Sequence, residues 1–574
     1  MEKHIPVCDY FDVKRDPDGV TRMHVNLGGI ALLRLTMTNK GTAFTAEERV
    51  ALGLDGLLPP QVNTQAQQLE RVYGGFRREP SPIAKYQYLR ALQERNEILF
   101  YALLTRYLHE MLPIVYTPTV GEAVQRFNFL YQSARGLSLS SGNIDRAPQA
   151  LANYAWHDVR MIVATDSSAI LGLGDQGWGG LGIPIGKLAL YTVGGGVSPM
   201  QTMPVALDVG TDRKELLDDG FYLGVREQRM RGEAYLAFMD KFVAAIKQRY
   251  PHAVIQWEDL AKDTAFTVLE RYRDRLPSFN DDIQGTGAVA LAGLINACRL
   301  CGEKLSEQRV IVYGAGAGGC GVAWAIREGM KRAGATAEEA RARVLVLDSK
   351  GLLTTERNLE PYKQPYAQDR EQLKNWRVAG PIPSLIETVE NAKATVLLGL
   401  SGQPRAFNEP VARAMARNTE RPIIFPLSNP TSSCEALPEE LMAWTRGRAI
   451  VATGSPFDAV MHEGKQFVIG QGNNAFIFPG LGFGAIVAEA RAITDNMVLT
   501  AAEALVDYTA EKHPGATYPP VDELQSVSQF VAARVIAQAI SDGVAEARDV
   551  TRDNALATVK ERFWRPDYLP LVRD

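Results

Sequence analysis

The sequence predicts an α/β protein of several domains, with a helical N-terminal domain followed by two α/β domains built on parallel strands. Three observations predict it. At 574 residues the chain exceeds a single hydrophobic core, and about 150 residues per domain gives three or four domains. Between residues 45 and 112 apolar positions recur at three, four and seven, as Leu89, Leu92, Leu99, Leu103 and Leu104 do, which is a helical period. Two later stretches alternate short strand-like apolar runs with helical ones, the pattern of strands joined by crossover helices.

Taken in order, Pro113 is expected to end the first helical run. Ile114-Val115-Tyr116 then reads as a short strand, and Thr119-Val120-Gly121-Glu122 as a capping box opening another helix. Tyr116 would thus stand just ahead of a helix N-terminus, a place suited to an anion. Strand-like runs at 159–164 and 202–209 alternate with helical ones, including 235–250, and 253–257 reads as a short buried strand. An apolar helix is expected over 288–299. A second set of strands follows at 309–313, 344–347, 395–398 and 422–425. The remainder reads as helical, with a charged, proline-bearing tail from about Thr551. The expected division is a helical domain at 1–134, a substrate- and metal-binding α/β domain at 135–281 to which 468–540 returns, a second α/β domain at 282–467, and a tail at 541–574.

Composition excludes several classes of function. Lys plus Arg total 62 against 66 for Asp plus Glu, so no polyanion-binding surface is expected and nucleic acid is not a partner. The five cysteines, Cys8, Cys298, Cys301, Cys320 and Cys434, are too scattered for a disulfide framework and fit a reducing compartment. Cys298 and Cys301 form a CxxC inside the expected apolar helix with no second pair to complete a zinc site, so they read as core residues. Residues 1–16 carry acidic side chains and no apolar signal region. The longest apolar stretch, 475–488, holds Pro479 and three glycines and is too short to span a bilayer. A cytoplasmic protein with no membrane partner is expected.

Chemistry concentrates in four places. Two acidic pairs, Glu258-Asp259 and Asp281-Asp282, each stand where an apolar run breaks off, and ligands of open α/β sheets collect beyond the carboxyl ends of strands. Four neighbouring carboxylates would repel one another unless a cation neutralised them, and an all-oxygen set suits Mg²⁺ or Mn²⁺. Read from pattern alone, the same pairs are equally helix N-caps or solvated turns. Gly314-Ala315-Gly316-Ala317-Gly318-Gly319 follows a strand and opens a helix, the context of a dinucleotide-binding loop, which makes 282–467 a Rossmann-type domain. Gly314 would give the tight turn, Gly316 admit the pyrophosphate, and Gly319 let helix and strand pack closely. Asp348 ends the next strand, 34 residues after Gly314, where an acid should meet the adenosine ribose. A second string, Gly172-Leu173-Gly174-Asp175-Gln176-Gly177, is followed by more glycines and a helix only at Pro184, so it reads as a close-approach loop beside a ligand. Pro184 as a first helical residue would put Lys187 in the first turn, where the macrodipole favours the neutral amine of a general base; a plain solvated lysine fits the same pattern.

Six segments taken together are more specific than any one: Thr38 to Phe44, Tyr116-Thr117-Pro118-Thr119-Val120-Gly121, Gly182-Ile183-Pro184-Ile185-Gly186-Lys187, Gln256-Trp257-Glu258-Asp259, Phe279 to Thr286, and Gly472 to Gly480. Their order along 36–490 resembles the signatures of the malic enzymes. The resemblance implies oxidative decarboxylation of L-malate to pyruvate and CO₂ with NAD or NADP and Mn²⁺ or Mg²⁺, in a homodimer or homotetramer. It further implies Glu258, Asp259 and Asp282 as metal ligands, Lys187 assisted by Asp281 as base, and Tyr116 as the acid that protonates C3. Asn429 matches a family asparagine near the cofactor, and Asn474 one near the substrate. Ser349 and Lys350 beside Asp348, together with Lys363, resemble the NADP-using branch, so NADP is favoured, with NAD not excluded. One position departs from the pattern: in Asp166 to Asp175 the family arginine that holds the substrate carboxylate is replaced by Ala169, and a methyl group cannot supply a bidentate clamp. That departure keeps two alternatives open, a malolactic-type enzyme turning malate into lactate and a catalytically weakened paralogue that binds malate or nucleotide.

Overall fold

A computed structural model of the chain describes residues 6–170 and 172–574; the first five residues of the N-terminal segment and Leu171 of the Asp166 to Asp175 string lie outside the described residues. By packing, the chain falls into two compact units. The first comprises Met1–Ser168, Asp175–Ile255 and Glu561–Asp574, and the second Ala169–Gly174 and Gln256–Lys560.

The first unit joins the N-terminal helices to a parallel sheet. Helices Gln65–Arg78, Pro82–Gln93 and Glu97–Arg106 start where Thr64, Ser81 and Asn96 accept a hydrogen bond from the third residue of the helix. Every residue from Glu97 to Leu104 is buried. Pro113 does not end this run: it lies inside a further helix, Leu108–Val115, where burial of Met111, Leu112, Ile114 and Val115 outweighs the one hydrogen bond a proline cannot make. The expected strand at 114–116 is therefore the end of a helix, with Tyr116 extended just beyond it. Nor is there a capping box at Thr119, because Pro118 occupies the N-cap position of helix Thr119–Gln125 and no side chain bonds the helix end. Strands Leu137–Ser140 and Met161–Thr165 both pair in parallel with Thr202–Asp208; the last two lie close to the runs read from the sequence, and the first was not read there. A small sheet pairs Phe11–Arg15 with Thr21–Val25, and Leu571–Arg573 of the charged tail joins it in parallel.

The second unit contains a seven-stranded sheet in the order Gly351–Leu352, Val344–Asp348, Val310–Tyr313, Val396–Gly399, Ile423–Pro426, Ile450–Thr453 and Gly470–Gln471. Its strands are parallel except for the first, antiparallel edge strand. Four of them match the runs read from sequence. Gly351–Leu352, Ile450–Thr453 and Gly470–Gln471 escaped that reading, the first and last being only two residues long. The core beneath includes Ile311, Leu345, Leu397, Phe407, Val411 and Ile424. Segment 468–540, expected to return to the central domain, lies in this second unit, its helices Phe478–Val487, Asp495–Lys512 and Leu524–Ser541 packing together and on Thr286–Cys301. Cys298 and Cys301 sit in that last helix, and burial pushes the Cys298 thiol up to about 12. No helix among the described residues is long and apolar enough to cross a membrane.

Candidate active site

Both acidic pairs belong to the second unit. The first stands where strand Val254–Glu258 ends, and Asp259 adopts a left-handed backbone with φ of 54°, a conformation aspartate tolerates better than most residues. The second follows strand Ser278–Asn280 and opens a wide turn, Asp281–Gly285, that leads into helix Thr286–Cys301. Asn280 holds this turn from both sides: its side chain accepts the Ile283 N–H at 3.0 Å, and its own N–H donates to Gln284 Oε1 at 3.0 Å. The cap is thus Asn280 and not the acids, which disposes of the reading of Asp281-Asp282 as helix caps.

Carboxylate oxygens of Glu258, Asp259 and Asp282 lie within 4.8 Å of one another, and all three side chains are buried. The Asp259 N–H donates to Asp282 Oδ2 at 2.8 Å, and the Gln256 amide donates to Glu258 Oε2 at 2.8 Å. These two donors help orient the carboxylates, and the all-oxygen donor set fits a hard divalent cation. Asp281 is turned to another partner. It is fully buried, and Asn474 donates to its Oδ2 at 3.0 Å and to Thr286 Oγ1 at 3.0 Å. A Cβ on Gly285 would stand 1.8 Å from Asp281 Oδ1, so only glycine there leaves the carboxylate room. Gln256, Asn280, Gly285 and Thr286 were not singled out from the sequence. Asn280 could have been, since an Asn three residues ahead of an apolar helical position is an N-cap signal.

Lys187 and Tyr116 come together in the first unit. Helix Gly182–Val193 begins two residues earlier than expected, on the end of the turn Gly177–Leu181, so Lys187 lies in its second turn and the helix dipole acts on it less than the sequence suggested. All twelve residues of this helix are buried and Lys187 is only 1% exposed. Its ammonium lies 5.9 Å from the centroid of the Tyr116 ring, within cation–π range. The approach is close because Gly186 faces the end of helix Leu108–Val115: a Cβ there would meet the Val115 carbonyl oxygen at 2.6 Å.

The glycine loop lies in the second unit after strand Val310–Tyr313. Gly314 has φ of 123°, and a Cβ on it would meet the Leu400 carbonyl oxygen at 2.3 Å. A Cβ on Gly319 would stand 1.6 Å from the Gly314 carbonyl oxygen, which is the close packing of helix on strand. Gly316, the N-cap of helix Ala317–Arg332, faces open space apart from the Lys262 side chain, 3.7 Å from such a Cβ. Asp348 ends strand Val344–Asp348 and accepts from Arg357 Nη2 at 2.5 Å and from the Lys350 N–H at 2.9 Å, with Lys363 Nζ 3.7 Å away. Burial acts to raise its pKa, but these partners outweigh it and hold the carboxyl below its usual range. Ser349 and the Lys350 side chain are exposed in the turn beyond, and Lys363 also pairs with Glu360 at 2.9 Å. Asn429 follows strand Ile423–Pro426 at the carboxyl edge of the sheet, its Oδ1 accepting from the Ser455 hydroxyl at 2.6 Å.

Comparison with known proteins gives a consistent result. The family model described as the N-terminal domain of malic enzyme matches residues 93–273, and that described as the NAD-binding domain of malic enzyme matches 283–540. An NAD-dependent malic enzyme of Vibrio vulnificus is 45% identical over 549 residues, covering 95% of this chain and 97% of the relative. One of Aeromonas hydrophila is 46% identical over 550 residues, again covering 95% and 97%. Among solved structures, the Entamoeba histolytica malic enzyme aligns with a TM-score of 0.56 at 24% identity over 89% of this chain and 90% of that one, a likeness of fold. The malic enzyme of Pyrococcus horikoshii aligns with a TM-score of 0.53 at 28% identity over 79% of this chain and 89% of that one.

Proposed function

The chain belongs to the malic enzyme family, and from that membership we propose that it oxidatively decarboxylates L-malate to pyruvate and CO₂ with NAD as the hydride acceptor. The observation that carries the reading is the buried convergence of Glu258, Asp259 and Asp282, a donor set that suits Mn²⁺ or Mg²⁺. When bound, the cation polarises the substrate oxygen at C2 as a Lewis acid and the nicotinamide accepts the hydride. Lys187, desolvated in its buried helix, takes the proton of the C2 hydroxyl, with Asp281 as the acid the family pattern assigns to it. Tyr116, over whose ring the Lys187 ammonium lies, returns a proton to C3 after CO₂ departs. Asn474 orients Asp281 through its amide and stands ready for the substrate, and Asn429 serves the cofactor.

Choosing NAD reverses the leaning toward NADP. The relatives above are named NAD-dependent, and Lys363, one of the residues that resembled the NADP branch, is otherwise engaged. The Lys363 charge is shared between Glu360 and Asp348. Asp348, kept ionised by Arg357, suits a ribose hydroxyl and would repel a 2′-phosphate. We propose a cytoplasmic homodimer or homotetramer acting on a small-molecule substrate.

The test incubates the protein with L-malate, Mn²⁺ and either NAD or NADP, following reduced cofactor and assaying pyruvate and lactate. The expected result is pyruvate with stoichiometric reduction of cofactor and a higher kcat/KM with NAD. Lactate without net cofactor reduction would establish the malolactic reading that Ala169 favours. Binding of malate or nucleotide with no turnover would establish a weakened paralogue. Lys187→Ala is expected to abolish oxidation, by roughly a thousandfold or more in kcat, while leaving Mn²⁺ affinity unchanged.

A further inference from the structure

Helix Lys262–Tyr272 of the second unit lies between the acidic pairs and the glycine loop in a way the mechanism does not use. It begins three residues after Asp259, whose carbonyl accepts the Ala169 N–H at 3.0 Å. Its first residue, Lys262, lays its aliphatic stem against Gly316: a Cβ on that glycine would be 3.7 Å from Lys262 Cε and 4.0 Å from Cδ. One turn along the same face, Phe266 stacks on Tyr362, with ring centroids 5.1 Å apart and planes 10° apart. Tyr362 neighbours Lys363, which reaches Asp348. The face carrying Lys262 and Phe266 therefore follows the path from the pyrophosphate glycine to the ribose acid. Lys262 is exposed and, among the described residues, holds no ion pair or hydrogen bond.

We infer that Lys262 is the cation that binds the diphosphate of the dinucleotide, its ammonium closing over the phosphates that Gly316 admits. The inference rests on the proposed use of a nicotinamide dinucleotide and adds to it a charged residue that no glycine motif reveals. A diphosphate carries two negative charges, and the open face at Gly316 brings it within one methylene of an ammonium that has no competing acid.

The test measures binding by calorimetry, apart from turnover, with ADP-ribose, which has the diphosphate, and adenosine, which lacks it. Lys262→Met is expected to weaken ADP-ribose about tenfold and leave adenosine unchanged, and Lys262→Arg to restore ADP-ribose binding. The salt dependence of ADP-ribose binding should flatten in the Met variant. Equal ADP-ribose affinity in Lys262→Met and the parent protein would overturn the inference, as would a parallel loss of adenosine, which would mean a structural role. If the parent protein bound neither NAD nor ADP-ribose, the dinucleotide reading itself would fall and take the inference with it.

Discussion

The two glycine strings, Gly172 to Gly177 and Gly314 to Gly319, look alike as letters and are built for opposite purposes. In the second, the glycines serve a packed helix and, in the function proposed above, a ligand. Gly314 and Gly319 bring backbone against backbone, and between them Gly316 is left with an open face. In the first, the glycines serve a turn that is tied down at several points, although Gly174 stays uncovered. Ile170 and Gly174 exchange backbone hydrogen bonds of 3.1 and 2.8 Å, and a Cβ on Gly172 would meet Pro430 Cδ at 3.0 Å. At the far end a Cβ on Gly177 would stand 2.1 Å from the Tyr222 hydroxyl. The feet of the turn, Asp166 and Asp175, share one buried guanidinium: Arg229 donates to Asp175 Oδ1 at 2.5 Å and Oδ2 at 3.1 Å, and to the Asp166 carbonyl at 2.9 Å. What separates the proposed binding loop from the brace is thus a cation beside an uncovered glycine, which Gly316 has and Gly174, equally uncovered, has not within 4 Å.

The largest effect should come from breaking the brace. Arg229→Met leaves Asp166 and Asp175 without their buried partner, and removing one member of such a group costs about 3–5 kcal/mol. Urea unfolding should show that loss. Unchanged stability would mean that the first string is not held from its feet. The acid limb of the stability profile sharpens the point. Burial acts to raise the Asp175 pKa, but the Arg229 hydrogen bond and charge outweigh it and hold the carboxyl below its ordinary value of 3.8. The stabilisation is therefore present above the ordinary carboxylate pKa and is lost as pH falls through the lower folded value, a dependence that Arg229→Met should remove.

Gly319→Ala comes next. A methyl 1.6 Å from the Gly314 carbonyl oxygen must push helix from strand, an overpacking cost of about 1–3 kcal/mol, and should weaken ADP-ribose binding as well. A variant with parent-like melting and binding would show that the second string is not the packed loop described.

How much of this was legible follows from the range of the signal. The second string could be read because strand, glycines and helix are contiguous, and the strands themselves because buried parallel strands are short apolar runs bounded by turns. The acidic pairs were legible as a cluster only through the company of other motifs, since Glu258 and Asp282 are brought together by the fold and not by spacing. Pro113 and Thr119 misled because local rules were applied where burial decides: Leu108–Val115 stays helical around its proline, and the N-cap went to Pro118. Arg229 and Lys262 were invisible for the same reason. Each lies against residues distant in sequence, and nothing in its own neighbourhood marks it.

The two smallest predictions form a matched pair on one glycine from each string. At Gly316 the backbone has φ of −88°, which any residue adopts, and a Cβ would make only ordinary contact with Lys262. Gly316→Ala should therefore melt like the parent protein while losing about tenfold in ADP-ribose affinity, about 1.4 kcal/mol, because the methyl fills the face the phosphates need. At Gly174 the situation is inverted: a Cβ would meet nothing within 4 Å, but φ is +74°, where an L side chain costs about 1–2 kcal/mol. Gly174→Ala should lower the unfolding free energy measured in urea by that amount and leave ADP-ribose affinity unchanged. If both variants lost stability and neither lost affinity, the two strings would be braces of one kind, and the open face at Gly316 would have no ligand to explain it.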